Sequence, residues 1–369
     1  MNQSLRDALS GAFGAEVAAR ANEKSSRGNF LEDFHVGMQM IHATPRTITE
    51  GDAALYTGLT GSRYALFSAD RFAQDCGLEG APIDPMLVFH MVFGKSVPDI
   101  SLNAVANLGY AEGRFHAPVF PGDTIAAMSE VIGVKENSDG RTGIVWVRTT
   151  GFNQNDEPVL SYVRWVMINK REEDPPAADP ELPSLAPFVD AADLDPPLWD
   201  ASGWNAQLAG SPFLFDHYEI GEKIDHMDGM TVEEAEHQIA TRLYQNTAKV
   251  HFNQHEQAAG RHGARLIYGG VPLSVARSLA FNGLANAADV LAINAGSHVN
   301  PLFAGDTVYA WSEVLDKAEL GSGVGALRLR LVATKNRPCA DFPYKDADGG
   351  YLPDVILDFD YWAAMPQLA

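Results

Sequence analysis

The sequence has few cysteines and no long apolar run. Its 369 residues include only Cys76 and Cys339, which lie far apart and form no CxxC pair. This excludes a disulfide framework and is typical of a protein from a reducing compartment. No apolar stretch reaches the roughly 18 residues of a membrane-spanning helix, and the N-terminus lacks the apolar segment of a secretory signal. We therefore expect a soluble, cytoplasmic protein that does not bind membranes.

Positive charge is also scarce. The chain has 27 basic against 48 acidic residues, a formal net charge of −21. Such a chain repels the phosphate backbone of DNA or RNA, so no nucleic-acid partner is expected. Yet 46% of the residues are hydrophobic, far too many for an acidic disordered protein. The sequence is that of a folded protein, and its length suggests two domains.

One segment differs in composition from the rest. Residues 171–200 hold 7 of the 21 prolines, with nine acidic residues against one base. Proline removes backbone donors and like charges repel, so an extended linker is predicted. The predicted division is listed here in chain order: an N-terminal extension (1–28), a first domain (29–170), the linker (171–205) and a second domain (206–369).

The two predicted domains resemble each other. Residues 33–37 (DFHVG) are similar to residues 217–221 (HYEIG), at an offset of 184 positions. Residues 118–124 (PVFPGDT) are similar to residues 301–307 (PLFAGDT), at an offset of 183. Since the offset changes by only one residue over this distance, the chain is an internal duplication of one domain.

Each half has the same order of predicted elements. A helix that begins at a threonine followed by acids precedes a long apolar helix, and strands close the half. The first helix of each half is predicted to begin at 49–52 and at 231–234, and the long apolar helix at 85–94 and at 271–285. The strands are predicted at 142–150, 160–168, 326–334 and 355–362, and an additional loop at 337–351. A buried helix followed by antiparallel strands is an α+β arrangement.

Several common site motifs are missing. The chain has no GxGxxG, Walker loop, GxSxG or HExxH, so it gives no support to dinucleotide, P-loop, serine-hydrolase or zincin functions. His251 and His255 have a helical i, i+4 spacing beside Glu256. Two histidines without a third ligand are weak evidence for zinc. We predict no metal site.

The most informative motif lies within residues 241–281. Residues 245–251 read QNTAKVH and residues 266–269 read LIYG, which places Gly269 eighteen positions after His251. This resembles the signature of the MaoC-like hydratases, G-D-x-N-P-[LIV]-H followed by an apolar-His-Gly step. The family's P-x-x-x-G-D-T strand entry occurs in both halves. The resemblance implies a tandem (double) hot-dog, in which each half is an antiparallel sheet wrapped around a central helix. It also implies hydration of 2-enoyl-CoA thioesters without a cofactor, since CoA is part of the substrate.

Three residues of this motif suit that chemistry. Hydration needs a base for water, a proton for Cα and donors on the thioester oxygen. His251 can handle the water and the proton, because imidazole titrates near neutral pH. The backbone amide of Gly269 can donate to the oxyanion, and we expect the missing β-carbon to let the thioester approach. Asn246 stands where the family has a carboxylate, and an amide cannot exchange a proton in the usual way. Either His251 works with a positioned water, or a carboxylate such as Glu256 or Asp52 joins it.

The first half has lost these groups. At an offset of 184, Asn246 corresponds to Ser62, His251 to Phe67 and Gly269 to Pro85. Phenylalanine cannot move a proton, and proline has no amide to donate. The first half is therefore predicted to be non-catalytic and to help build the substrate pocket.

Basic residues gather around the motif. Residues 242–277 contain five bases and one acid, a local charge of +4 in a chain of −21, which favours an anionic ligand. Several long segments also resemble a member of the family whose substrate carries a free carboxylate, and we expect Arg265 to bind that group. The predicted substrate- and CoA-binding residues are Tyr268, Gly270, Arg265, Arg261, Lys249 and Arg242.

Two other functions remain open from the sequence. One is an (R)-specific hydratase for plain acyl chains, and the other is a non-catalytic acyl-CoA-binding double hot-dog, suggested by Asn246. In each case the partner is a small acyl-CoA molecule. A homodimer is possible, because hot-dog domains usually pair and the duplication satisfies one such pairing within the chain.

Overall fold

The computed structural model describes residues 24–174 and 179–368. Residues 1–23 of the predicted N-terminal extension and residues 175–178 of the predicted linker lie outside the described residues. The described chain forms a ten-stranded sheet in which all neighbouring strands are antiparallel. The strands are β1 Gln39–Thr47, β2 Ala104–Phe115, β3 Thr124–Glu136, β4 Thr142–Phe152, β5 Pro158–Asn169, β6 Lys223–Thr231, β7 Asp289–His298, β8 Thr307–Gly321, β9 Val324–Lys335 and β10 Val355–Pro366.

The sheet is built from two copies of one topology. The first half has the order β1-β3-β4-β5-β2, and the second half has the order β6-β8-β9-β10-β7. The copies join where β2 pairs with β7, with Tyr110 opposite Gly296 and Ala111 opposite Ala295. The duplication read from the sequence therefore appears in the structure as two equivalent five-stranded units sharing one continuous sheet.

Two buried helices lie against this sheet. Every residue of α4 (Pro85–Ser96) and of α9 (Gly270–Leu279) is buried, which explains why both sequences are mainly apolar. Asp84 caps α4, and Pro85 occupies its first turn, where a backbone N–H would have no acceptor within the helix. The helices are α1 Glu50–Thr60, α2 Ala65–Ser68, α3 Asp70–Asp75, α4 Pro85–Ser96, α5 Ala206–Ala209, α6 Glu234–Leu243, α7 Lys249–Phe252, α8 Gln254–Gln257, α9 Gly270–Leu279 and α10 Phe281–Leu284, with a π-helical turn at Val97–Ser101 after α4.

The predicted α+β class is confirmed, but two helix boundaries are wrong. Thr49 caps α1 as predicted. Thr231, which was predicted to open the corresponding helix, instead ends β6, because its hydroxyl bonds Thr307 across the strand pair, as Thr47 bonds Thr124 in the first half. The helix α6 begins after Glu233. The apolar helix predicted at 271–285 ends at Leu279, since the backbone turns out of helical geometry at Asn282–Gly283.

The acidic, proline-rich segment lies on the sheet. Glu181 forms an isolated β-bridge with Val134 of the first half. Further along, the Val189 amide donates to Asn294 Oδ1 at 2.8 Å, and the Trp362 indole donates to the Val189 carbonyl at 3.0 Å. This described part of the segment is therefore packed against both halves, because its apolar side chains and backbone groups find partners there.

Candidate active site

His251 lies on α7 with one ring nitrogen fixed. Its Nδ1 lies 2.9 Å from the Leu266 carbonyl oxygen, which can only accept, so Nδ1 carries the proton and Nε2 keeps its lone pair. The Leu266 amide donates back to Val250 and holds the two segments together. Burial lowers the pKa of His251 to about 4, despite the opposing hydrogen bond. His251 is thus a neutral imidazole with a free basic nitrogen.

Asn246 presents donors where the family has a carboxylate. It is buried, and its Oδ1 accepts from the Ala248 amide at 3.0 Å. A backbone N–H can only donate, so this contact fixes Oδ1 on that side and turns Nδ2 away. Within the described residues, no acceptor is hydrogen-bonded to Nδ2. Asn246 can therefore donate to a water or a substrate oxygen.

Gly269 precedes the first turn of α9. Its amide has no acceptor in the described part of the chain, and it lies at the positive end of the helix dipole. A β-carbon here would lie 2.6 Å from the His298 ring. The reason predicted for this glycine is therefore wrong: its β-carbon space is filled by His298 and is not left open for the thioester. The amide itself remains able to stabilise an oxyanion.

The first half holds the loop that carries Asn246. A β-carbon at Gly94 of α4 would lie 1.7 Å from the Tyr244 carbonyl oxygen, so this glycine allows the helix to touch the loop. Lys95 Nζ donates to Gln245 Oε1 at 3.2 Å, and Gln245 has a positive φ of 56°. Arg46 donates to the Leu243 carbonyl at 2.6 Å. The first half thus fixes the backbone around Asn246.

Three further histidines surround Tyr268. The Tyr268 amide donates to His237 Nε2 at 3.0 Å, and the His237 ring lies 6.3 Å from that of His251. His90 of α4 lies 3.4 Å from the Tyr268 hydroxyl through Nδ1. Burial lowers the pKa of His90 and His237 to about 3 and that of His298 to about 4. Because these rings are neutral, His251 is not surrounded by fixed positive charge.

None of these histidines was identified as a site residue from the sequence. For His90 one sequence signal existed, because the repeat offset of 184 pairs it with Ser274 of the second half. His90 Nε2 lies 2.8 Å from the Ser274 hydroxyl, and the two residues are 184 positions apart, the offset of the internal repeat. Residues at equivalent positions of the two halves therefore meet here, one on α4 and the other on α9. His237 and His298 had no comparable signal, since they lie on separate elements.

The predicted binding residues divide into two groups. Tyr268 and Gly270 lie inside, with the Tyr268 ring 5.6 Å from His251 and Gly270 against His90. Arg265 is mostly buried, and its guanidinium is bonded to Gln238 and Glu234 of α6. The remaining three, Lys249, Arg261 and Arg242, are exposed.

Fewer of the basic residues within 242–277 are available to a ligand than the sequence suggested. Arg277 lies in the core, bonded to Tyr64 and to carbonyls of 287–288, so it is not on the surface. Arg265 has its charge matched by Glu234. The local +4 therefore does not form one free anion site, because three of its five bases are already paired or buried: Arg277, Arg265 and Lys249, which lies 4.0 Å from Glu256.

Neither proposed substitute carboxylate joins His251. Glu256 is exposed on α8, with Lys249 Nζ at 4.0 Å. Asp52 caps α1 through Thr49 and pairs with Arg46. His251 also does not share a helix with His255, because non-helical Asn253 separates α7 from α8. Across the described ranges, no group of three or more His, Cys, Asp or Glu is arranged to hold a metal.

The corresponding positions of the first half face a different environment. Pro85 begins α4 and offers no amide. A cavity of about 90 Å³ lies against Phe67 and Pro85, with Phe115 and Trp199 among its mostly apolar lining. Neither His251 nor Asn246 lines this cavity, so we do not assign the catalytic site to it.

This chain is similar to known hydratases and dehydratases. The model of a family described as mesaconyl-CoA hydratase matches residues 10–182. A β-methylmalyl-CoA dehydratase of Chloroflexus aurantiacus is 60% identical and covers 93% of this chain and 99% of its own. A mesaconyl-CoA hydratase of Cereibacter sphaeroides is 58% identical, with coverage of 93% and 100%. The chain belongs to this family. It is a hydro-lyase of the hydratase/dehydratase type, as its motif predicted.

Solved structures show the same fold. A MaoC-domain dehydratase of C. aurantiacus is similar with a TM-score of 0.92 and 59% identity, and covers 94% of this chain and 100% of its own. A Mycobacterium tuberculosis protein described as a double hotdog has a TM-score of 0.71 and 25% identity, with coverage of 93% and 99%. The predicted double hot-dog is confirmed. In the described residues, no helix is long and apolar enough to cross a membrane.

Proposed function

We propose that this protein catalyses the reversible hydration of mesaconyl-CoA to β-methylmalyl-CoA, in the cytoplasm and in the ethylmalonyl-CoA route of acetate assimilation. The observation that carries the proposal is His251, a neutral imidazole whose Nε2 has no partner among the described residues and whose ring lies 5.6 Å from that of Tyr268, the residue before Gly269. Asn246 Nδ2 and the Gly269 amide are the donors of the same motif. The relatives that are 58% and 60% identical over 93% of the chain support the substrate.

His251 starts the addition. Its Nε2 accepts a proton from water while the water oxygen bonds to Cβ, the carbon next to the substrate's free carboxylate. The electron pair of the double bond moves to Cα and the thioester oxygen becomes an enolate oxygen. The Gly269 amide donates to that oxygen, where a donor typically contributes about 10²–10³ in rate. Asn246 Nδ2 orients the water.

The same imidazole completes the reaction. The proton taken from water is now on His251 Nε2, and its transfer to Cα gives the hydroxyacyl thioester and restores the neutral ring. One proton leaves water and one reaches Cα, so the scheme needs neither a carboxylate at position 246 nor a cofactor. The substrate is a CoA thioester. A homodimer stays a prediction from the sequence.

The test is a direct hydration assay. The absorbance of the thioester-conjugated double bond is followed with mesaconyl-CoA and with crotonyl-CoA, and we expect faster turnover of mesaconyl-CoA. His251→Gln should lower kcat by about 10²–10⁴, while His255→Gln, an exposed histidine four positions on, should keep the rate. Faster crotonyl-CoA turnover would favour a hydratase for plain acyl chains. An inactive wild type would favour an acyl-CoA binder.

A further inference from the structure

Arg164 is a buried cation without a counter-charge. It lies in the middle of β5 with 0% exposure, and its guanidinium stands 4.2 Å over the Phe93 ring. It donates to the hydroxyls of Ser96 at 2.8 Å and Ser101 at 3.4 Å, and its Nε has no partner. In the part of the chain that the structure describes, no carboxylate pairs with it. Buried charges are normally paired, because an unpaired one is costly.

Arg277 shows what a satisfied buried arginine looks like in this protein. It is also buried, at 4% exposure, and lies near the ring of Tyr361. It donates to the hydroxyls of Tyr64 and Tyr361 and to two backbone carbonyls of 287–288. The buried carboxyl of Asp84 also interacts electrostatically with the Arg277 guanidinium. Arg164 has half as many oxygen partners and no carboxylate, so the fold alone does not account for its environment.

The strand register directs Arg164 toward the candidate site. On neighbouring strands, Arg164 lies opposite Tyr110 of β2, and Tyr110 lies opposite Gly296 of β7. The Tyr110 hydroxyl is 3.2 Å from His298 Nε2, and the His298 ring covers Gly269. The three strands therefore carry one row of polar groups from Arg164 to the oxyanion position.

Other polar atoms along this row are also unsatisfied. Asn107 of β2 lies opposite Val166, two residues from Arg164 on the same face of β5. Both polar atoms of its amide are buried without partners, and so is Nδ1 of His298. Buried polar groups almost always have partners, and a polar ligand that bonds these atoms would account for the whole set. The set contains both donors and an acceptor, with the guanidinium as its only charge.

We propose that Arg164, with Asn107 beside it, binds the free carboxylate of the substrate and makes the enzyme specific for a carboxylated enoyl thioester. This rests on the proposed function. A guanidinium and a carboxylate match in two-point geometry, and the incoming group supplies the missing counter-charge. The non-catalytic half then recognises one end of the substrate while His251 and Gly269 act on the other. Arg265, the residue expected from the sequence, already has Glu234 as its partner.

The test compares two substrates that differ in one group. In 2-methylcrotonyl-CoA a methyl replaces the carboxylate of mesaconyl-CoA. Arg164→Met removes the charge and keeps an apolar side chain of similar length, a change that buried sites often tolerate. We expect kcat/KM for mesaconyl-CoA to fall about 100-fold, as loss of a charged hydrogen-bonding pair predicts, while the rate with 2-methylcrotonyl-CoA is retained or rises.

Two control variants separate recognition from structure. Arg164→Lys keeps the charge but loses the two-point geometry, so its mesaconyl-CoA loss should be intermediate. Arg148→Met changes a partly exposed arginine that pairs with Glu112 on the same half, and it should leave the substrate ratio unchanged. An equal loss on both substrates in Arg164→Met and Arg164→Lys would overturn the proposal, because it would indicate a structural role.

A binding measurement separates this proposal from the proposed function. Succinyl-CoA and butyryl-CoA are saturated thioesters that differ only by carboxylate against methyl, and calorimetry gives their affinities without turnover. The wild type should prefer succinyl-CoA, and Arg164→Met should lose that preference. If mesaconyl-CoA is not hydrated but the preference is seen, the proposed function fails and the carboxylate site stands. If the wild type shows no preference, the carboxylate site fails.

Discussion

The two halves of this chain have the same strand order, yet only one carries groups that can perform hydration. In the second half, α7 and the first turn of α9 present His251 and the Gly269 amide. At the equivalent places the first half has Phe67 and Pro85, which offer neither a base nor a donor. The scaffold therefore does not require the catalytic residues, and after duplication each copy could change independently.

The first half has instead acquired supporting roles. Lys95 and Gly94 fix the loop that carries Asn246, and His90 packs against Tyr268. Arg164 and Asn107 add a buried polar row beside Gly269. Under the proposed function, one copy provides the reacting groups and the other provides positioning and substrate recognition.

The largest expected effect concerns the glycine at the start of α9. Gly269→Ala places a methyl group about where the His298 ring lies, so either the ring or the amide must move. We expect kcat to fall by about 10²–10³, the usual effect of losing one oxyanion donor. Pro85→Ala at the equivalent place should leave kcat unchanged. Steady-state hydration rates and circular dichroism of both variants measure this, and a Gly269→Ala enzyme of wild-type rate would contradict the role.

Exchanging the residue at position 246 tests the comparison directly. Asn246→Ser gives the second half the residue found at Ser62, and it removes the Nδ2 donor. We expect kcat to fall roughly 10- to 100-fold, since a lost hydrogen bond to a polar reacting group is worth about 1.5–3 kcal/mol. Ser62→Asn is the reciprocal variant and should not change the rate. If the two substitutions had equal effects, the assignment of chemistry to one half would be wrong.

A smaller effect should come from the supporting half. Lys95→Met removes the donor to Gln245 Oε1 and to the Thr44 carbonyl, and keeps the length of the side chain. We expect kcat to fall about tenfold and the melting temperature to fall as well, because both acceptors lose their donor. Lys135→Met, on β3 of the same half, is the control. A rate equal to wild type would show that the loop holds its geometry without Lys95.

The smallest change is a displacement of the pH profile. His251 must be neutral to accept a proton, and its pKa is lowered to about 4 by burial. Activity should therefore fall only as the pH drops through that value, and not near the ordinary value of about 6.5. The acid limb of kcat/KM against pH measures this, with circular dichroism at each pH to detect unfolding. An acid limb near 6.5 in a folded enzyme would mean that His251 is not desolvated.

Prediction from the sequence succeeded for local and repeated patterns. The apolar sequence of α4, the alternating strands and the repeat offset gave the α+β class and the two equivalent units, because each depends on neighbouring residues or on self-similarity. It failed where a tertiary partner decided the outcome. Thr231 resembles a cap but bonds Thr307 on the neighbouring strand, and the helix after Gly270 ends where Gly283 turns the chain.

The candidate site was predicted in part. The motif identified Asn246, His251 and Gly269, which lie within one stretch of chain. The carboxylate-binding residue was sought in the same stretch, and Arg265 proved to be paired with Glu234. A signal for Arg164 existed, since it is the only charged residue of β5 and its neighbours Tyr162 and Val166 face the core. The sequence could not show that Arg164 lies near the motif of residues 245–269, because they are about a hundred positions apart along the chain.

The sequence by itself determined the duplication, the half that holds the proposed catalytic residues and the family to which the chain belongs. The tertiary structure alone decided which tautomer His251 adopts, why position 269 is glycine and which polar groups of the first half reach the site. A sequence motif identifies residues that are close together along the chain. Hydrogen-bond partners, burial and electrostatics depend on distance in space, which here is set by the pairing of β2 with both β5 and β7.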